Sequence, residues 1–242
     1  MATFVLIPGS GGDSFYWHYV VPELEAAGHR VVAPDLPAGD ECAGLADYAD
    51  VVVKAIGNRR DDLIVVAQSM GGFVAPLVCE RVPLRLIVLL NAMVPAPGES
   101  PGAWWANTGA PDARRAAAKR DGRRSVDGEF DVVSEFFHDV PDAVRAEVFA
   151  RGEPRQSDTP FEKLWPLQRW PDVATRALTC RHDRFFPADF QRRVLGERLG
   201  ITPEEMDGGH LVALSRPVEL AARLIAFAFA SALSAEGETD QV

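Results

Sequence analysis

The sequence predicts an α/β protein: a doubly wound, mostly parallel sheet of about six strands, interrupted once by a helical insertion. Three observations carry that expectation. Short runs that are apolar throughout alternate with stretches of helical length, and strands lacking polar alternation are those covered on both faces. The alternation stops at Asn91 and resumes at Thr175, with no strand-like run between. Finally, Ala67-Gln68-Ser69-Met70-Gly71 turns one buried run sharply into a helix.

In chain order, Thr3–Ile7 is a β-type run closed by Pro8-Gly9-Ser10-Gly11-Gly12, whose glycines reach backbone conformations that other residues resist. Ser14 is placed to cap a helix that carries Phe15, Trp17, Val20, Val21 and Leu24 and ends at Gly28. Residues 29–33 read as a second strand, stopped by Pro34-Asp35-Leu36-Pro37, and residues 43–56 as a helix closed by Gly57-Asn58. Then come the strand from Leu63, the turn at Ser69, a helix over 73–81 and a fourth apolar run over 84–90. Pro and Gly breaks, the Trp104-Trp105 pair, a basic segment over 112–124 and amphipathic pieces over 130–138 and 141–151 follow. They predict a helical cap over 93–171, lying across the carboxyl ends of the strands, where an open α/β sheet keeps its ligand crevice. The core domain is then 1–92 with 172–242: a strand over 175–180, a helix over 190–199, a weak strand over 201–206 and a last helix over 217–233. Residues 234–242 read as a polar, frayed tail.

At 242 residues the chain is long enough for one such domain with its insertion, and 47% hydrophobic residues suffice for a large core. A net charge of −10 argues against nucleic acid or an anionic membrane as partner. No apolar run reaches the roughly 18 residues that a membrane helix needs. The first eight residues have no basic stretch before their apolar run and read as a strand, not a secretion signal. Cys42, Cys79 and Cys180 are odd in number and far apart, which suggests neither a disulfide framework nor a metal cluster; a reducing cytoplasm is the expected location.

The chemistry centres on Ser69. A sharp strand-to-helix turn lifts a serine hydroxyl clear of the sheet, and it needs small residues two before and two after, here Ala67 and Gly71. A lone serine is a poor nucleophile near neutral pH and needs a base, normally a histidine held by a carboxylate. Asp183 follows the strand ending at Cys180, and His210 follows the strand ending near Met206, so all three lie on one edge of the sheet. Their order, Ser-Asp-His, is that of a serine hydrolase on this kind of sheet. Asp207 is a rival for the acid, and a turn-forming role is open to either aspartate. His182 reads as a solvated loop residue, Asp35 as a turn residue, and His18 and His29 as surface or packing residues.

From Phe4 to about Phe229 the chain resembles the α/β-hydrolase superfamily. Within it, Phe4-Val5-Leu6-Ile7, Leu24-Glu25-Ala26-Ala27-Gly28-His29-Arg30-Val31 and Phe190-Gln191-Arg192 are similar to the small esterases related to plant methylesterases and hydroxynitrile lyases. That resemblance implies Ser69 as nucleophile, Asp183 as acid, His210 as base, and the amides of Ser10 and Met70 as the oxyanion hole. The chain departs from the pattern at Ala67, where the family usually has Gly, and at Pro8, where it has His. The lyases use a threonine in the oxyanion loop and a lysine after the catalytic histidine, and Gly9 and Leu211 stand there instead. Hydrolysis of a small or medium-sized, largely apolar ester or thioester is therefore expected, without metal or organic cofactor. Acyl transfer, amide cleavage, lyase chemistry and a non-enzymatic small-molecule receptor are the alternatives.

Substrate contacts are expected at Gly9, Gln68 and Leu211, beside the reacting groups. Trp104 and Trp105 either line an acyl pocket or hold the cap down. His138 either touches substrate or packs within the cap. Arg114, Arg115, Lys119, Arg120, Arg123 and Arg124 read as a solvated helix face, with recognition of an anionic substrate as the second reading. Cys79 and Cys180 read as buried packing residues.

Overall fold

The structure is a computed structural model that describes residues 1–123 and 131–239. Arg124, Phe130 and the last residues of the expected tail lie outside them. Six strands form one parallel sheet: β1 (Thr3–Ile7), β2 (Arg30–Val32), β3 (Leu63–Gln68), β4 (Leu86–Leu90), β5 (Thr175–Cys180) and β6 (Glu204–Met206). Their order is β2-β1-β3-β4-β5-β6.

Alternate residues of the central strands feed two separate cores, which is why the sequence shows no polar alternation. Val5, Ile7, Val65, Ala67, Ile87 and Leu89 pack on one face; Phe4, Leu6, Ile64, Val66, Leu86 and Val88 pack on the other, against Trp17, Leu24, Leu220 and Leu224. The first face is covered by α2 (Leu45–Ile56), α3 (Gly71–Cys79) and α9 (Ala188–Leu199), the second by α1 (Val21–Ala26) and α11 (Pro217–Thr239). The chain leaves β1 toward β2 and returns to β3 on the opposite side. The loops after β1 and β3 therefore part around a crevice at the sheet's topological switch point.

Between β4 and β5 lie five helices in chain order, α4 (Pro101–Thr108), α5 (Ala110–Arg120), α6 (Val132–Phe136), α7 (Asp142–Ala150) and α8 (Thr159–Glu162); among the described residues this segment contains no strand. Two expectations fail locally. The helix expected to start at Ser14 splits into a 3-10 turn at Ser14–Trp17 and the later α1, where Pro22 in the first turn has no N–H to continue an upstream helix. Asp13 caps that turn by accepting Phe15 N–H at 2.9 Å, and the amide of Ser14 is itself held by Asp35 Oδ1 at 2.8 Å. At the other end α11 runs on to Thr239, so the tail expected beyond residue 233 begins as helix. A short α10 (Val212–Ser215), unforeseen in the sequence, precedes it. No helix among the described residues is long and apolar enough to cross a membrane.

Candidate active site

Ser69 occupies the turn between β3 and α3 with φ of 51°, a left-handed conformation that is strained for a serine. The strain is held in place by its neighbours. The Ser69 carbonyl accepts the amides of Gly72 at 3.1 Å and Met93 at 2.9 Å, and its own amide donates to Leu90. Close packing explains the glycines: a methyl on Gly71 would sit 3.0 Å from the Pro8 carbonyl oxygen, and one on Gly72 would strike the Met93 carbonyl. Ala67 pairs with Ile7 in the sheet and is fully buried, so a methyl group fits where glycine was expected.

The structure brings His210 and Asp183 together. His210 Nδ1 lies 2.8 Å from Asp183 Oδ2, and both side chains are almost wholly buried. Asp183 Oδ1 accepts the amides of Phe185 and Phe186 at 2.8 Å each, so four donors, counting Gln191 Nε2 at 3.4 Å, converge on one carboxylate. Such a carboxylate is fixed in orientation and suited to hold an imidazole tautomer. Asp207 is instead an exposed partner of Arg181, at 2.8 Å, which lowers its carboxyl pKa. His182 is exposed beside it. The rings of Phe136, Phe185 and Phe186 surround the His210 imidazole at 5.3, 5.0 and 5.2 Å.

Gln68 Nε2 and Asn91 Nδ2 each approach the His210 carbonyl at 3.5 Å, linking the serine turn to the histidine loop. Among the described residues no direct hydrogen bond joins Ser69 Oγ to His210. On the other side of Ser69, Gly9 leaves no room for a side chain: a methyl there would stand 2.8 Å from Ser69 Cβ. The loop after β1 thus lies against the serine. Among the described residues, neither the Ser10 nor the Met70 amide donates to a protein acceptor.

The remaining candidates separate by environment. Trp104 is 1% exposed, gives its indole N–H to Val94 O at 3.0 Å and packs at a tilt on Phe186 and edge-on to Phe190, so it is a packing residue. Trp105 is half-buried, edge-on to Phe185. Leu211 packs with Phe137, Val140 and Leu214. His138 is packed against Gly209, and burial together with nearby Arg184 lowers its pKa, opposed by Asp139 and Asp183. The basic segment is not solvated throughout: Arg114 of α5 and Arg123, just past its end, converge on the buried Glu135 at 3.4 and 3.2 Å, and Arg120 pairs with Asp189. A cleft of about 590 Å³ that Asp183 and His138 help to line is walled by Arg120, Arg123, Arg181 and Arg192 and does not include Ser69. Cys180 is buried, which pushes its thiol pKa up; Cys79 is only half-buried, and Cys42 is exposed. Among the described residues no group of three or more His, Cys, Asp or Glu side chains is disposed to hold a metal.

Three positioning residues escaped the sequence reading. Asn91, fully buried at the end of β4 with φ of 43°, accepts Cys180 N–H at 2.8 Å and donates to Gly209 O at 3.3 Å, tying three strand ends together. Gln191 donates to Phe186 O at 2.7 Å behind Asp183. Asp139 accepts Gly209 N–H. An asparagine directly after an apolar run was the one available signal, since Asn tolerates the left-handed region.

Comparison with known proteins bears on the family and the fold. The chain is 25% identical to Methylesterase 3 of Arabidopsis thaliana, over 93% of this chain and 95% of that one. It is also 25% identical to polyneuridine aldehyde esterase of Rauvolfia serpentina, over 90% and 92%. Among solved structures, a pyrethroid hydrolase from Sphingobium faniae superposes with a TM-score of 0.71 at 23% identity, covering 96% of this chain and 98% of the other, a likeness of fold. The model of the alpha/beta hydrolase family matches residues 4–223, from the first strand into the last helix and through every loop that carries Ser69, Asp183 and His210; the chain belongs to that family.

Proposed function

We propose that the protein is a carboxylic-ester hydrolase that cleaves small to medium-sized, largely apolar esters or thioesters through an acyl-enzyme on Ser69. The observation that carries this reading is the strained Ser69 turn packed on Gly9, at the same sheet edge as a His210–Asp183 pair 2.8 Å apart. The methylesterase and esterase relatives support ester chemistry.

In the first step Ser69 Oγ attacks the ester carbonyl while His210 Nε2 takes its proton; the Ser69–His210 hydrogen bond forms as substrate binds, as catalytic bonds commonly tighten only in the complex. Asp183 holds Nδ1–H and stabilises the imidazolium. The Ser10 and Met70 amides receive the developing oxyanion. His210 then returns the proton to the leaving alcohol, and water activated by the same imidazole releases the acid. The three phenylalanines around His210 favour an apolar substrate and exclude water from the imidazole. The helices between β4 and β5 act as a cap over this crevice, with Trp105 edge-on to Phe185. Lyase chemistry is disfavoured by Gly9 and Leu211, which offer neither the hydroxyl nor the amine of the resembling lyases.

Turnover of p-nitrophenyl acetate and butyrate by wild type, set against Ser69→Ala, tests the assignment directly. Fluorophosphonate labelling with mass mapping identifies the nucleophile independently of substrate choice. Label on any residue other than Ser69, or undiminished turnover by Ser69→Ala, would refute it.

A further inference from the structure

We infer that Gln156, in the link between α7 and α8 of the helical segment, is a positioning residue for the oxyanion loop. This deepens the esterase reading and rests on the Ser10 amide being an oxyanion donor.

Gln156 Oε1 accepts the amide of Gly11 at 2.8 Å and the hydroxyl of Ser10 at 3.1 Å. Its Nε2 donates to Ser157 O at 2.9 Å and Tyr48 Oη at 3.2 Å. The orientation of this amide is fixed chemically. Reversed, it would set an NH2 against the Gly11 N–H and an oxygen against the Ser157 carbonyl, two repulsive contacts in place of two bonds.

The loop needs such an anchor. Gly11 and Gly12 have φ of 87° and 64°, conformations glycine enters freely, so the residues that allow the turn do not by themselves stiffen it. One of the two peptide planes beside Ser10 is fixed from within, because Gly9 O accepts Gly12 N–H at 3.1 Å. In a trans peptide the Ser10 N–H then points the opposite way from that carbonyl. The other plane, between Ser10 and Gly11, is fixed from outside by Gln156. With both planes held, the Ser10 amide has one direction, which is the preorganisation that oxyanion stabilisation requires.

A mere tether for the helical segment is already provided elsewhere. Ser157 N donates to Ala38 O at 2.7 Å, Ser157 Oγ to Asp40 O at 3.1 Å and Thr159 Oγ1 to Glu41 O at 2.6 Å. Pro154 adds contact, lying 3.0 Å from where a Gly11 methyl would be. Among the described residues of this stretch, Gln156 alone reaches the backbone of the loop with a hydrogen bond. Oxyanion stabilisation is thereby coupled to the seating of the helical segment.

The test compares wild type, Gln156→Ala and Gln156→Glu with p-nitrophenyl butyrate, and measures inhibition by an alkyl trifluoromethyl ketone, whose hydrated or serine-bound oxygen mimics the oxyanion. Gln156→Ala is expected to lose on the order of tenfold in kcat with KM within about twofold, a smaller loss than outright deletion of a donor. The ketone should weaken by the same factor. Gln156→Glu keeps the acceptor for Gly11 but sets an oxygen against the Ser157 carbonyl and a charge beside the oxyanion loop, so it should recover part of the loss and no more. Unchanged kcat, a loss confined to KM, or equal losses in both variants with unweakened ketone binding overturns the role of Gln156 and leaves the esterase reading standing. Undiminished turnover by Ser69→Ala overturns both.

Discussion

Asp139 Oδ2 accepts the amide hydrogen of Gly209 at 2.6 Å, so the helical segment grips the backbone immediately ahead of His210. Gly209 has no space to spare there, since a methyl would meet His138 Cε1 and Asp139 Oδ1 at 2.6 Å each. Asp139→Ala leaves a part-buried amide without its acceptor, at about 1–2 kcal/mol of stability. It also releases the loop that aims the imidazole. We expect kcat to fall severalfold and Asp139→Asn, which keeps an acceptor oxygen, to restore much of it; thermal unfolding and steady-state kinetics on the same preparations check this, and equal defects in both variants would contradict it.

Asp183 offers a sharper expectation. In Asp183→Asn the oxygen that serves Phe185 and Phe186 can remain, but an amide NH2 faces His210 Nδ1 and favours the wrong tautomer. A loss on the order of 10³-fold or more in kcat, with an unaltered circular dichroism spectrum, is expected. Asp207→Asn, which removes only an exposed pair with Arg181, should stay near wild type. If the two substitutions were equally damaging, the acid would have been assigned to the wrong aspartate.

The centre of the sheet was legible because its strands are buried on both faces, and an unbroken apolar run such as Ile64 to Val66, bounded by turn residues, fits little but a doubly covered strand. Ser69, Asp183 and His210 were legible because each follows a strand end, where short loops allow little freedom. The helical segment was harder. Trp104 gave the same sequence signal whether it faced a ligand or the core, and only its bond to Val94 decides. Asn91, Asp139 and Gln156 act through contacts tens of positions away or through one backbone angle, neither of which leaves a local pattern. Arg115, Lys119 and Arg120 are exposed as the pattern suggests, whereas Arg114 and Arg123 depart from it for a related reason: their partner Glu135 lies on another helix.

Asn91 is the buried link whose removal should be felt in both stability and rate. Asn91→Ala forfeits the bonds to Cys180 N–H and Gly209 O and forces a methyl side chain into the left-handed region. Each buried group left unsatisfied costs about 1–3 kcal/mol, so a loss of at least about 2 kcal/mol is expected in urea titration. A cost below about 0.5 kcal/mol would mean that water replaces the side chain and that the three strand ends do not depend on it.

Glu99 and Arg198 form a second, purely structural joint, between the start of the helical segment and α9. Arg198 Nη2 reaches Glu99 Oε1 at 2.9 Å and its other amine contacts Oε2, with Asn107 adding a bond at 2.8 Å. Burial raises the Glu99 pKa, but these partners and the Ala96 amide outweigh it and bring it below the ordinary value of 4.5. A depressed carboxyl contributes stability that is complete above the unfolded pKa and is lost as pH falls through the folded one. Glu99→Gln breaks a buried ion pair and should cost about 3 kcal/mol at pH 7, and because the Glu99 pKa is lowered the cost should shrink as pH falls below the ordinary value. Melting curves that stay equally separated down to pH 3 would show that the charge is not what the pair contributes.

His138 titrates in the opposite sense for stability. Burial first, and Arg184 second, hold its folded pKa below the ordinary 6.5, while Asp139 and Asp183 oppose them. As pH falls below about 6.5 the unfolded chain takes up a proton that the folded chain refuses, so the folded state loses ground, and the loss continues until pH reaches the folded pKa. Replacing His138 with Phe removes this penalty. The difference in melting temperature between His138→Phe and wild type should move in favour of the variant on going from pH 7.5 to pH 5. His29, whose pKa burial also lowers, remains in both proteins and cancels from the comparison. Because the ring is packed against Gly209, one residue from His210, the same substitution should leave the acid limb of the activity profile with one titration fewer if protonation of His138 disturbs that loop. A melting difference independent of pH would mean that the imidazole is solvated enough to titrate normally, and that its packing on the histidine loop is loose.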